Sequence, residues 1–282
     1  MAAASHDYRV LMQRAVVKID AAQRRIAELE GRDREPIAVI GMAGRFPGSA
    51  HDVDAYWSLL MRGGDGIVPI PAGRWDVDAY YDPDRAAAGK MYVRNGGFID
   101  GIEDFDPEFF KLSRREAAGL DPQQRLWLEA SWHALENAGI QPASLYGSAT
   151  GVFLGISGFD YAGLLAQVLQ AKEIDAYLGT GASLNMPAGR LSYVLGLTGP
   201  CMAVDTACSS SLVATHLACQ SLRNGECDLA ISGGVNVLLL PETYVAFCRG
   251  EMLAPDGHCK TFDAGADGFV RSEGCGVIVL KR

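Results

Sequence analysis

Val204-Asp205-Thr206-Ala207-Cys208-Ser209-Ser210-Ser211-Leu212-Val213 is the stretch on which the fold of this chain turns. A short β-prone segment, residues 202–204, ends in small residues. An apolar-periodic run follows at once: Leu212, Val213, His216, Leu217, Gln220 and Leu222. That pattern predicts a strand, a tight elbow and a helix, with the thiol at the elbow. Backbone N–H groups and the positive end of the helix dipole favour a thiolate in this position, which makes Cys208 a candidate low-pKa nucleophile. Its small neighbours, Ala207, Ser209 and Ser210, leave room for an acyl group. Without the elbow, the same cysteine would read as a small, inert hydrophobe.

Outward from the elbow, strands alternate with helices. Residues 36–44 read as a buried strand entering a Gly-rich turn, and 52–61 as a helix. Residues 63–105, rich in Gly, Pro, Asp and aromatics, read as a long irregular excursion. A helix is expected over 122–137, with Asp121 as its cap and Gly139 after its end. Strands follow at 150–156, 228–232 and 276–280, and helices near 161–170, near 187–195 and from about Pro241. The alternation implies an α/β fold, and no internal repeat is visible. Gly41, Gly44 and Gly48 do not have dinucleotide-loop spacing, and Pro47 interrupts any helix start there, so that reading is rejected. Gly179-Thr180-Gly181-Ala182-Ser183 reads as a Gly-rich loop without a phosphate-binding context.

Residues 1–34 differ from the rest. Tyr8, Met12, Ala15, Ile19, Ala22, Ile26 and Leu29 recur at alternating spacings of four and three, an a/d seam with charged flanks. Alanine at two core positions makes the seam thin, and one such helix is marginal alone. The alternative is an amphipathic helix lying on the domain; the pattern favours a two-stranded parallel coiled coil, ended by Gly31 and the charged residues 32–35. This segment carries seven basic and five acidic residues, leaving eighteen basic against twenty-nine acidic in residues 35–282.

The chain has 282 residues, 49% of them hydrophobic, enough for one large domain or two small ones. Its net charge of −9 argues against nucleic acid or an anionic membrane surface as partner. No stretch approaches the roughly 20 apolar residues of a bilayer span, and the N-terminus lacks the apolar core of a secretory signal. The reading is therefore a cytoplasmic protein. Seven cysteines without zinc-like pairs imply reduced thiols rather than a disulfide framework. Cys201, Cys219, Cys227, Cys248 and Cys275 read as packing residues, and Cys259, beside His258 and Lys260, as a loop thiol. Asp263, Asp267 and Glu273 read as turn and loop hydrogen-bonders rather than metal ligands.

Asp205-Thr206-Ala207-Cys208-Ser209-Ser210-Ser211 resembles the active-site signature of β-ketoacyl synthases, specifically the ketosynthase domain of type I modular polyketide synthases. Three further blocks stand in family order. Asp121-Pro122-Gln123-Gln124-Arg125 lies upstream, and Gly189-Arg190-Leu191-Ser192-Tyr193 with Gly196-Leu197-Thr198-Gly199-Pro200 leads into the elbow. Asp263-Ala264-Gly265-Ala266-Asp267-Gly268-Phe269-Val270-Arg271 lies downstream. The resemblance covers residues 35–282. It implies the first half of a thiolase-like layered αβαβα fold, and the N-terminal seam resembles a docking helix that receives the preceding polyketide synthase polypeptide.

The resemblance also implies a chemistry. Cys208 would take an acyl chain from the phosphopantetheine of an acyl carrier protein, with no cofactor bound directly, for decarboxylative Claisen condensation with a malonyl-type extender. Its backbone N–H would supply half of an oxyanion hole. In relatives, Ala182, Ser183, Asn185, Met186 and Met202 correspond to positions near the acyl channel and the interface of a homodimer. The family's two decarboxylating histidines and assisting lysine have no counterpart among His6, His51, His133, His216 and His258. His216, for example, lies eight residues past Cys208, about 12 Å along the helix. The expectation is therefore an incomplete domain that accepts an acyl group but does not condense alone, leaving one sheet edge and one face uncovered. Two rivals remain: an interaction module with an inactive scaffold, and a stand-alone fatty-acid-type synthase or thiolase, which the heptads and the block at 121–125 disfavour.

Overall fold

The computed structural model describes the backbone of residues 2–33 and 35–282, and the side chains of residues 11–26, 31 and 35–282. In chain order it begins with helix α1 (Ala2–Asp33), strand β1 (Ala38–Arg45), helix α2 (Val53–Met61), strand β2 (Ile67–Pro69), helix α3 (Val77–Tyr80) and strand β3 (Asn95–Gly97). Helices α4 (Arg114–Ala118) and α5 (Pro122–Asn137), strand β4 (Thr150–Gly155), and helices α6 (Asp160–Val168), α7 (Ala176–Ala182) and α8 (Met186–Leu195) follow. Strand β5 (Cys201–Val204), helix α9 (Ser210–Asn224), strand β6 (Leu229–Asn236), helix α10 (Glu242–Arg249) and strand β7 (Gly274–Lys281) close the chain.

Five strands form one mixed sheet in the order β1-β7-β6-β4-β5. Strand β4 runs parallel to both β5 and β6, whereas β7 is antiparallel to β6 and β1. The parallel part explains why β4 is buried along its whole length: helices cover both of its faces. On one face α5 and α8 bury Trp127, Leu128, Leu135 and Leu191 against Val152, Leu154, Ile231 and Val279. On the other, α9 sets Ala214, Ala218 and Leu222 against Phe153 and Ala230. The result is an α/β/α sandwich, in keeping with the α/β fold expected from the sequence.

Close approach depends on two glycines. A Cβ at Gly41 of β1 would collide with Ala138 of the α5 C-cap, and one at Gly155, the last residue of β4, would fall on the backbone of Ser210 and Ser211. The second contact seats the first turn of α9 directly on the sheet.

The excursion at 63–105 is irregular but not loose. It contains the β2–β3 ribbon and helix α3, and Trp75, Met91, Tyr92 and Phe98 form a second core with Tyr244, Cys248 and Leu253. Glu273 ties this core to the main sheet. Its fully buried carboxylate accepts from Arg74 Nε and Nη2 (3.2 and 3.1 Å), Ile99 N (2.8 Å) and Leu238 N (3.0 Å).

Three local readings change. Residues 179–183 belong largely to α7 rather than a loop. Asp175 caps that helix by accepting from Tyr177 N and Leu178 N (2.9 and 3.1 Å), and Gly181 packs against Gly119, so cap and contact outweigh two glycines. Strand β6 continues to Asn236, because Gly233 fits where a Cβ would strike the Gly276 carbonyl of β7. Helix α1 continues past Gly31 to Asp33. Of its heptad positions, Met12, Ile19 and Ile26 are all more than half exposed, while the side chains of Tyr8 and Leu29 lie outside the described residues.

Candidate active site

Strand β5 delivers the chain to the elbow and α9 carries it away. Between them, residues 207–209 form one 3-10 turn, with Cys208 exposed at its centre. The turn is held by short side chains. Asp205 accepts from Ala207 N (2.9 Å), Thr206 N donates to Ser210 Oγ (2.9 Å), and Ser210 Oγ donates to the Ala207 carbonyl (2.7 Å). Ser209 Oγ is within 2.9 Å of both Thr206 Oγ1 and the Thr206 carbonyl. Ala207 sits at φ +54°, a left-handed conformation that costs an alanine about 1 kcal/mol. The network over-determines that strain, which aims the next residue, Cys208, outward.

Cys208 opens into a cleft of about 700 Å³ between α9, the ends of β4 and β6, α10 and the segment entering β7. Leu212, Phe247 and Phe269 give it an apolar wall; Asn236, Arg271 and Ser211 add polar groups. Among the described residues no histidine lines it. His51 and His133 instead border a separate groove of about 810 Å³ beside β1 and α5 that contains no cysteine. His133 Nδ1 is 3.3 Å from Glu136, His258 Nδ1 is 3.3 Å from Asp65, and His216 is exposed on α9.

The other thiols sort by depth. Cys227, Cys248 and Cys275 are buried, and burial raises their pKa values, that of Cys275 to about 12. Cys219 is half-buried. Cys201 departs from the packing role expected of it: β5 is an edge strand, and its thiol is exposed, as is that of Cys259.

Ala182 ends α7, Ser183 follows it, Asn185 and Met186 open α8, and Met202 lies on β5. None of the five lines the Cys208 cleft. All five are exposed or half-buried, and the first four form one tract of chain from the end of α7 into α8. The upstream blocks support this tract from beneath. Asp121 caps α5 through Gln123 N (2.8 Å), and burial pushes its carboxyl up to about 6. Gln124 donates to the Gly181 carbonyl (2.6 Å) and accepts from Arg190 Nε (3.1 Å), while Arg190 Nη1 reaches Glu116 (2.6 Å). Asp263 accepts from Gly265 N (2.7 Å), Asp267 pairs with Lys260 (2.7 Å), and Glu273 is occupied as described. Among the described residues no cluster of ligands suited to a metal ion exists.

The aromatic wall and Arg271 escaped sequence reasoning as site residues. They come from segments far apart in the chain with no shared periodicity, and Arg271 stood only as the last residue of the 263–271 block.

An elbow carrying an exposed cysteine, seated on a mixed sheet with helices on both faces, is the frame of the β-ketoacyl synthases. The family described as β-ketoacyl synthase, N-terminal domain, matches residues 34–282, and the chain belongs to it. Within that family its relatives are polyketide synthases. It is 51% identical over its whole length to a phenolphthiocerol/phthiocerol polyketide synthase subunit of Mycobacterium tuberculosis (strain ATCC 25618 / H37Rv). Over 88% of its length it is 52% identical to another subunit of that synthase from the same strain. The chain spans only 13% and 14% of those two proteins. Among solved structures, the ketosynthase from module 6 of the bacillaene synthase of Bacillus subtilis 168 is 46% identical with a TM-score of 0.79; the match covers 87% of this chain and 40% of that one. The oxazolomycin ketosynthase domain of Streptomyces albus JA3453 is 41% identical with a TM-score of 0.82, over 87% and 42%.

Proposed function

We propose that this chain is the acyl-accepting part of a polyketide synthase ketosynthase, with Cys208 as the nucleophile. The carrying observation is the exposed thiol on a strained elbow, one residue after Ala207, at the mouth of a partly apolar cleft. The Cys208 sulfur, as thiolate, attacks the carbonyl carbon of an acyl thioester. The tetrahedral oxyanion collapses, the phosphopantetheine sulfur of the carrier protein leaves and takes up a proton, and the acyl group remains on Cys208. Decarboxylative condensation with a malonyl-type extender is the step this prepares. With no histidine in the cleft, acylation rather than condensation is what these residues support. Ala182, Ser183, Asn185, Met186 and Met202 belong to the acyl channel and dimer interface in this reading.

An acyl carrier protein is the proposed donor, and no cofactor is bound directly. A homodimer through the β5 edge is supported by exposed Cys201, Met202 and nearby Tyr193, the last 88% exposed. Pairing of α1 with an upstream polyketide synthase polypeptide is supported by the exposed Met12, Ile19 and Ile26. No helix among the described residues is long and apolar enough to cross a membrane, which fits a cytoplasmic assignment.

The test is intact-mass spectrometry after incubation with an acyl-pantetheine thioester. One acyl adduct, mapped to Cys208 and blocked by cerulenin, is expected in the wild type and none in Cys208→Ala. An equal adduct in Cys208→Ala, or labelling spread over exposed Cys201 and Cys259 as well, would favour the interaction-module reading, in which α1 alone carries function.

A further inference from the structure

The segment entering β7 places a guanidinium in the Cys208 cleft without a hydrogen-bond or ion-pair partner among the described residues. Arg271 is half-buried, and its Nε is fully buried without a hydrogen-bond partner. It makes no hydrogen bond or ion pair through its side chain with any described residue; its one specific contact is with the Phe247 ring, 4.9 Å from the centroid. Its carbonyl accepts from Gly97 N (3.0 Å), which fixes the backbone beneath it.

The anions that could pair with it are engaged elsewhere. Both oxygens of Glu273, two residues on, are taken by Arg74 and by the Ile99 and Leu238 amides. Asp160 accepts from Leu239 N (3.0 Å), Leu240 N (3.2 Å) and Thr243 Oγ1 (3.5 Å); its charge attracts Arg271 through space, but the two form no ion pair. Tyr244 is raised above the usual phenol range by burial and stays neutral. A partly desolvated cation without an ion-pair partner is unfavourable unless an anion compensates it, so its place in the cleft points to an anion that comes and goes. Cys208 lines the same cleft, and a thiolate there attracts the Arg271 charge. The other charged groups around the elbow are few. Asp205 is turned to Ala207 N, Glu273 is fully paired, Asp160 is capped by amides, and His216 lies two turns along α9 on an exposed face.

We propose that Arg271 is a positioning residue for Cys208: its guanidinium, without a hydrogen bond or ion pair, gives the cleft a positive charge that draws an anionic reagent toward the sulfur. The proposal rests on the reading of Cys208 as nucleophile, but its test does not depend on acyl transfer.

The probes are iodoacetate, which is anionic, and iodoacetamide, which is neutral. Alkylation of Cys208 in the 282-residue chain is followed by peptide mapping, with exposed Cys259, outside the cleft, as internal reference. In Arg271→Gln the iodoacetate-to-iodoacetamide rate ratio at Cys208 should fall roughly three- to tenfold. Arg271→Lys should retain most of the ratio, and the ratio at Cys259 should not move. If Arg271→Gln does not fold, the wild-type ratio at Cys208 should still drop as the Debye length shrinks from about 30 Å at 0.01 M to 3 Å at 1 M salt. An unchanged ratio in Arg271→Gln, or a salt-insensitive ratio in the wild type, would overturn the role. A lowered ratio together with no acyl adduct on Cys208 would sink the nucleophile reading and leave the Arg271 field standing.

Discussion

Helices α5 and α8 close one face of the sheet behind Trp127, Leu128 and Leu191, all at most 1% exposed, whereas α9 lies on the other face with Leu212 75% exposed. The difference goes beyond area. The closed face is stitched by buried polar groups, with Asp121, Gln124 and Arg190 linking α5, α7 and α8. The open face carries its polar groups at the elbow and in the cleft, where Cys208 and Arg271 are unpaired by any hydrogen bond or ion pair among the described residues. One side of the sheet is thus organised for stability, the other for access to a thiol. Strain and unpaired charge are tolerated on the open side because the closed side supplies the burial that offsets them.

The largest effect that tests this contrast is a pair of truncations. Leu128→Ala should cost about 2–5 kcal/mol of unfolding free energy, and Leu212→Ala no more than about 0.5 kcal/mol, both read from urea titrations. Equal losses would mean that α9 is packed more tightly than its exposure indicates. The second test uses Asp121, whose folded-state pKa of about 6 lies above its ordinary value of 3.8 because burial disfavours the charged form. A raised carboxyl stabilises the fold fully below its unfolded pKa, and that stability is lost as pH rises through 6. Between about pH 4.5 and 7.5 the wild type should therefore lose about 2 kcal/mol relative to Asp121→Asn, which keeps the cap and cannot ionise. Parallel urea midpoints for the two proteins across that range would contradict the buried charge. The smallest effect belongs to the elbow: Ala207→Gly relieves a left-handed alanine and should raise stability by about 0.5–1 kcal/mol in thermal melts. A loss instead would show that the turn's hydrogen bonds need the alanine's restriction more than its φ penalty harms it.

Much of the closed face was legible in one dimension. Helix α5, with Asp121 as cap and Gly139 beyond its end, follows from cap chemistry and apolar period, and β4 from an apolar run. The elbow was equally legible, because a strand signal, three small residues and a helical period meet at Cys208. Helix α7 was not: Gly179 and Gly181 argue against a helix locally, and only the Asp175 cap and the fit of Gly181 against Gly119 reverse that. The exposure of Cys201 was hidden for a related reason, since an edge strand and a central strand have the same composition and differ only in their neighbours.

Local sequence, then, determined the candidate cysteine, its turn and the alternation of strands and helices, since capping, periodicity and turn chemistry act over a few residues. Tertiary structure alone decided what surrounds the sulfur. Phe247, Phe269 and Arg271 reach the cleft through α10 and the entry to β7, while Glu273, two residues past Arg271, is held by Arg74 from the distant excursion. Charge compensation is a property of three-dimensional neighbours, and no spacing along the chain records it.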